Sequence, residues 1–333
     1  MTLRTPLCPL LGIDVPIISA PFSAAPPALV AAVSNAGGLG LYGVTWRSTR
    51  TLTRQIAEIQ RLTDRPFGVN MVLEWDMRDR VLACLDAGVR VFSFTWGDST
   101  RLAELVHDAG GTVLHTVADV DEAERVAQAG VDVVVAQAWE AGGHVRTPVA
   151  ALPLVPAVCD AVGPVPVVLA GGVGDGRGLA AALALGAAGV WLGTRFLTAT
   201  EAQVHPDYRR RILDAQATDT VLTSAFDGGW EAPHRVLRNG TLDRWEAAGQ
   251  PAVGGRPGEG EVVARTTRGA HQTEHRRYDM TSPAADMTGA VDDMALYAGQ
   301  SVGLVGTGSS AAEILTGLVA QAEEVLARFG SDR

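Results

Sequence analysis

Residues 137–144 read Gln137-Ala138-Trp139-Glu140-Ala141-Gly142-Gly143-His144, an imidazole and a carboxylate four positions apart with two glycines between them. A histidine so placed can take up a proton or steady a developing anion near neutral pH. The flanking glycines let a ligand come close to the backbone. A lone histidine is more often structural, and the other six are read that way. His271 and His275 have the spacing of metal ligands but no clear third partner, so no metal site is expected. Two further segments carry glycines where ligands are held. Ala170-Gly171-Gly172-Val173 runs into Asp175-Gly176-Arg177-Gly178, and Leu192-Gly193-Thr194-Arg195 follows another apolar run. Backbone N–H groups left bare by glycine bind phosphate, and the Thr194 hydroxyl can add a donor. Turns need glycine in any case, but two such loops together point to a phosphorylated cofactor. Phe67-Gly68-Val69-Asn70 leaves an amide at a third position; Asn70 could serve the edge of a heterocycle or simply cap a turn.

These groups need a scaffold that brings them to one place. Apolar, β-rich runs alternate with helical patterns from residue 15 to about 215, the signature of βαβ units. The strands are expected at Pro16–Ala20, Gly40–Tyr42, Phe67–Met71, Val89–Phe94, Thr112–Val117, Val131–Ala136, Val165–Ala170 and Gly189–Leu192. Helices are expected at Pro27–Asn35, Thr51–Leu62, Arg101–Ala109, Asp121–Ala129 and Gly178–Gly186. Runs such as Val133-Val134-Val135-Ala136 are continuously apolar, as strands covered on both faces should be. Eight such units predict a (β/α)₈ TIM barrel, with a doubly wound open sheet as the alternative. In a barrel, all the segments singled out above fall at the C-terminal ends of strands, on the rim where such barrels do chemistry.

The pattern breaks after Ala217. Residues 218–290 are rich in glycine and scattered charge, including Gly228-Gly229, Gly254-Gly255 and Gly260, and read as an irregular insertion or lid subdomain. Residues 1–217 and 291–333 are assigned to the barrel. Ile314, Leu318, Val325 and Phe329 share one stripe of a C-terminal helix that should pack back on it.

Composition narrows the chemistry. All 27 basic residues are arginine, so Schiff-base, pyridoxal-lysine and P-loop mechanisms are excluded. A net charge of −10 argues against a nucleic-acid surface. Three scattered cysteines, Cys8, Cys84 and Cys159, form no disulfide framework, and no apolar stretch reaches membrane-spanning length. A cytoplasmic enzyme with neither nucleic-acid nor membrane partner is expected.

Taken together, these segments resemble the nitronate monooxygenases, formerly called 2-nitropropane dioxygenases, which are FMN-dependent TIM-barrel flavoenzymes. The resemblance is carried by Ala20-Pro21, Ser34 to Gly40, Phe67 to Asn70, Gln137 with Glu140 to His144, Ala170 to Gly178, Gly193 to Phe196 and Tyr297-Ala298-Gly299-Gln300-Ser301, together with the C-terminal helix. It covers most of residues 10–217 and 290–330. Phe22 stands where the family often has methionine, and Ala138 where it often has glycine. The resemblance implies FMN, with its phosphate on Gly172 and the Trp191-Leu192-Gly193-Thr194 loop. It places Asn70 at the isoalloxazine, with Ala20, Pro21, Phe22, Gln137 and Gly171 as further cofactor contacts. His144 is then the catalytic histidine, removing the α-proton of a nitroalkane or steadying its nitronate. The partners implied are a small-molecule substrate and O₂, the products are a carbonyl compound and nitrite, and a homodimer is one admissible assembly. FMN-dependent enoyl reductases share the Glu-Ala-Gly-Gly-His segment and supply the alternative, an NAD(P)H-linked reaction or oxidation of another carbon acid. A non-catalytic flavin-binding protein is the third reading.

Overall fold

The computed structural model describes residues 3–22, 25–228, 230, 232–269, 271–306 and 308–330, without the side chains of residues 268, 271, 329 and 330. Nine strands lie in its first part: β1 (Ile17–Ser19), β2 (Gly40–Gly43), β3 (Phe67–Val72), β4 (Val91–Thr95), β5 (Thr112–Val117), β6 (Val133–Gln137), β7 (Gly143–His144), β8 (Val167–Ala170) and β9 (Gly189–Leu192). All but β7 join one parallel sheet in the order β1-β9-β8-β6-β5-β4-β3-β2. The ring closes where Ser19 N donates to Leu39 O at 2.9 Å and Leu39 N donates to Ile17 O at 3.0 Å. The fold is therefore the barrel and not the open sheet, and each expected strand is present with its ends shifted by no more than two residues.

The helices are α1 (Leu7–Leu11), α2 (Pro27–Asn35), α3 (Thr49–Leu62), α4 (Arg78–Asp86), α5 (Thr100–Asp108), α6 (Val120–Gln128), α7 (Ala151–Val162), α8 (Gly176–Ala184), α9 (Thr194–Leu197), α10 (Pro206–Asp214), α11 (Gly240–Ala247) and α12 (Ala311–Gly330). The long α12 packs on α8 and α2, so the last helix of the ring comes from the far end of the chain. There Gln321 accepts the Gly176 N–H at 2.7 Å. Ile314 and Leu318 are buried and Val325 packs beside them, as their spacing predicts; the Phe329 side chain lies outside the described residues.

Alternation along each strand sorts the side chains into two layers. Val69, Phe92, Val113, Val134, Leu169 and Val190 face the helices, whereas Ile18, Leu41, Val91, Leu114, Val133 and Val168 fill the barrel. Towards the C-terminal end the inward positions turn polar, with Asn70, Ser93, Thr95, Thr116 and Gln137. A barrel interior sealed by aliphatic side chains below and polar above can hold a ligand only at that upper mouth.

The 218–290 segment is more regular than its composition implies. Strand β10 (Thr220–Thr223) pairs with β11 (His234–Leu237), which pairs in turn with β7, and β12 (Val262–Arg268), β13 (His271–Arg276) and β14 (Met287–Gly289) form a second small sheet. Glycine and charge hid these strands because their exposed faces carry polar side chains, as in the Arg265–Glu274 cross-strand pair at 3.3 Å. Gly229 lies outside the described residues. Among the described residues no helix is long and apolar enough to cross a membrane.

Candidate active site

The glycines after β8 have a conformational reason. Gly171 and Gly172 have φ of +109° and +74°, a region that side chains with a Cβ rarely adopt. A Cβ at Gly171 would also fall 2.8 Å from the Ala141 nitrogen, whereas one at Gly172 would only touch Glu140 at 3.6 Å. Among the described residues nothing accepts from the N–H groups of Gly172, Gly174, Gly193 or Thr194. Gly174 and Thr194 are buried, and a buried N–H without a partner costs about 1–3 kcal/mol. Several such donors around one mouth make an anion cradle. The start of α8 lies outside that cradle. Asp175 accepts from Arg177 N at 3.0 Å, and Gly176 N is taken by Gln321. The Thr194 hydroxyl accepts from Gly299 N at 2.9 Å and keeps its own proton to donate. Residues 297–301 thus wall the cradle, fixed also by Gln300 N donating to Glu140 O at 2.9 Å.

The other expected contacts surround the same mouth, though unequally. Ala20 N donates to Leu192 O at 2.8 Å, and a Cβ at Gly193 would sit 3.5 Å from the Ala20 Cβ, so the ends of β1 and β9 touch. Pro21 lies over Gly43. Trp191 points into the barrel, but the Leu192 side chain turns the other way into the helix-facing layer, and Phe22 also packs there. Of Leu192, only the backbone borders the mouth. Asn70 donates through Nδ2 to Ser93 Oγ and Thr95 Oγ1, both at 3.1 Å. Those bonds fix the amide and leave Oδ1 with no donor among the described residues, so Asn70 presents an acceptor. The carboxylate of Glu140, expected at the rim, instead accepts the Ala151 N–H at 3.0 Å and caps α7, whose own N-cap Ala150 has no acceptor.

His144 is held from two sides. Gln137 Nε2 donates to its carbonyl at 2.9 Å, and β7 pairs with β11 so that His144 lies opposite His234. Its ring lies among aromatics: Trp230 at 4.5 Å, His234 at 5.5 Å, Tyr297 at 5.7 Å and Trp96 at 6.1 Å. Among the described residues its Nε2 is buried without a partner. Burial, and secondarily the neighbouring His234, push its pKa down to about 3. His144 is therefore a neutral imidazole whose ring is enclosed by aromatic side chains.

A second histidine shares that state. Buried His115 bonds Ser99 Oγ at 2.9 Å through Nδ1, and burial lowers its pKa to about 4. Both groups bind a proton more weakly folded than unfolded, so their stability contribution is full above the unfolded pKa of about 6.5 and is lost as pH falls towards the folded values. Each adds up to about 1.4 kcal/mol per pH unit within that window. The melting temperature is expected to fall steadily between about pH 6.5 and 4.5. A scanning-calorimetry trace that stays level over this range would contradict the neutral assignment.

The structure adds three tryptophans that sequence reasoning missed. Trp46 follows β2, Trp75 follows β3 and Trp96 follows β4, and all three converge with Trp230 from the insertion. Their only shared sequence signal is position shortly after a strand. Arg235, opposite Gly143, donates to Trp139 O at 2.9 Å and lies over the Trp139 ring at 5.0 Å. Trp139 is thereby tied down beside the mouth.

Comparisons with known proteins bear on the family and the fold. A family profile described as nitronate monooxygenase matches residues 4–78 and 73–321. The chain is 41% identical over 251 residues to the (3aS,4S,5R,7aS)-5-hydroxy-7a-methyl-1-oxo-octahydro-1H-indene-4-carboxyl-CoA dehydrogenase of Mycobacterium tuberculosis, covering 74% of this chain and 70% of that protein. It is 34% identical over 287 residues to a probable nitronate monooxygenase of Staphylococcus saprophyticus, covering 72% and 80%. Among solved structures, FabK from Thermotoga maritima superposes with a TM-score of 0.81 at 30% identity, covering 99% of both chains. A nitroalkane oxidase from Streptomyces ansochromogenes gives 0.79 at 28%, covering 95% and 98%.

Proposed function

The chain belongs to the nitronate monooxygenase family of oxidoreductases, and on that premise we propose that it uses FMN to oxidise alkyl nitronates with O₂ to a carbonyl compound and nitrite. The observation that carries this reading is the buried Nε2 of His144, unpartnered among the described residues, beside a mouth whose backbone donors are likewise free among them. The residues fit the cofactor. The N–H groups of Gly172, Gly174, Gly193 and Thr194 match a phosphate, and the Asn70 Oδ1 matches the imide N–H of a flavin ring. FMN, when bound, supplies the redox chemistry.

The chain's own part is to receive the substrate's acidic end. A nitronate is already an anion, and a neutral imidazole can donate a hydrogen bond to its oxygen through Nε2–H. For a neutral nitroalkane the other tautomer is needed, in which bare Nε2 takes the α-proton. An anion beside the ring favours the imidazolium that results, so a bound nitronate raises the His144 pKa from its low resting value. The apolar walls of Trp96, Trp230 and Tyr297 exclude water and strengthen these interactions.

A second reading is favoured by the CoA dehydrogenases at 41% and 40% identity: oxidation of a carbon acid activated by a neighbouring thioester. His144 would meet the same kind of C–H there. The two are separated by anaerobic titration of the flavin-loaded enzyme with nitronates, acyl-CoA thioesters, NADH and NADPH. Bleaching by nitronates, with nitrite released once air is admitted, is the expected result. Bleaching by a thioester alone selects the second reading, and rapid bleaching by NADPH alone selects an enoyl-reductase type of reaction.

A further inference from the structure

Two of the largest side chains in the molecule are left open to solvent at the mouth: Trp46 is 62% exposed and Trp75 is 42% exposed. They do not stack on each other. Their ring centroids lie 6.0 Å apart with planes at 68°, and each meets Trp230 at a tilt of 58°, at 6.4 and 5.4 Å. Tilted contacts of this kind leave ring faces free for a further flat or apolar group. Elsewhere in the molecule arginines cover aromatic rings, over Trp96 and Trp139 for example, but among the described residues none covers Trp46, Trp75 or Trp230.

The backbone is pinned beside Trp46 and at Trp230. Thr45 Oγ1 accepts from Val72 N at 3.0 Å, and Arg47 N donates to Val44 O at 3.1 Å, which pins the backbone on both sides of Trp46. Trp230 N donates to Asp227 O at 2.7 Å, and the Asp227 carboxylate is bound by Arg256 at 3.0 Å. Trp96 has a φ of +63°, a costly conformation for a bulky residue, which turns its ring inward against Val72, Ala232 and Trp230. The array is continuous with the reacting end, because Trp230 also lies against His144.

We propose that Trp46, Trp75 and Trp230 form an aromatic rim that binds the non-reacting ring system of its substrate, and that this substrate is a bulky cyclic carbon acid. A short-chain nitronate held at His144 would end before reaching Trp46 and leave the exposed rings unused. A fused-ring substrate spans the distance and removes both rings from water. A bicyclic skeleton is also what the name of the 41%-identical dehydrogenase describes. The proposal rests on the reading of the mouth as the reaction site, but not on which acid is oxidised.

The test measures binding without turnover, so that failure of nitronate oxidation leaves it intact. The flavin-loaded enzyme and a Trp46→Ala/Trp75→Ala double variant are titrated calorimetrically with 2-indanone and with butan-2-one. Both tryptophans are exposed, so the double variant is expected to melt with the parent. It should bind 2-indanone at least about tenfold more weakly while its affinity for butan-2-one moves by less than about twofold. Phenylalanine at both positions should restore most of the difference. Unchanged 2-indanone affinity in the double variant, equal weakening of both ketones, or no measurable 2-indanone binding to the parent enzyme would each overturn the proposal.

Discussion

Replacing His144 with alanine is expected to leave FMN bound and to lower kcat/KM for neutral nitroalkanes by about 10²–10⁴-fold, the range spanned by a positioned general base. Pre-formed nitronates should lose less, because only the hydrogen bond to their oxygen is removed, which is worth about 1.5–3 kcal/mol when one partner is charged. The split follows from the surroundings of the ring. Among the described residues no carboxylate orients His144; it is packed by Trp230, Tyr297, His234 and Trp96 and held through its backbone by Gln137. Its low resting pKa has burial as its main cause, so the enzyme should stay active well below pH 6.5, with no loss of base function in the usual histidine range. Asparagine at this position can still donate a hydrogen bond but cannot take a proton, so His144→Asn should recover nitronate turnover in preference to nitroalkane turnover. Steady-state kinetics on both substrate forms decide the matter. Equal losses on both would remove proton abstraction from the reading, and full retention on nitroalkanes would remove His144 from the chemistry.

The barrel was legible because its signals are local. Continuous apolar runs such as Val133–Ala136 occur where a strand is covered on both faces, and glycines at strand ends mark the mouth. The same reasoning located His144, Gly172 and Thr194, since each lies within a few residues of a strand end. What stayed hidden depends on contacts distant in sequence. Trp46, Trp75 and Trp230 meet only because the ring closes and the insertion folds over it. Glu140, equally close to a strand end, was expected at the rim, but its carboxylate accepts the Ala151 N–H instead. The pairing of β7 with β11, which sets His144 opposite His234, joins residues 143–144 to a segment whose composition suggested irregular chain. Alternation does predict that Leu192 faces away from Trp191, but a loop read as one motif conceals the side on which each residue lies.

Valine at Gly172 is expected to abolish retention of FMN while leaving a folded protein, and valine at Gly171 is expected to damage folding itself. Neither φ, +74° or +109°, suits a β-branched residue, at a cost of roughly 1–3 kcal/mol each. The surroundings then separate the two. A Cβ at Gly171 runs into the Ala141 backbone, whereas at Gly172 the protein leaves room and the added methyls project beside the free N–H groups, where a phosphate must approach. The nearby arginines cannot compensate. Arg177 is tied to Asp175, and Arg195 donates to Gly306 O at 3.1 Å, so a phosphate held here would depend on backbone donors. With no lysine in the chain, crowding those donors should weaken FMN binding by at least about tenfold, enough for flavin to be lost during gel filtration. The flavin-to-protein absorbance ratio and the melting temperature of the two variants, each measured with and without added FMN, test both halves. A Gly172→Val protein that purifies with one FMN per chain would show that the phosphate is held elsewhere. A Gly171→Val protein as stable as the parent would show that the close approach to Ala141 relaxes at little cost.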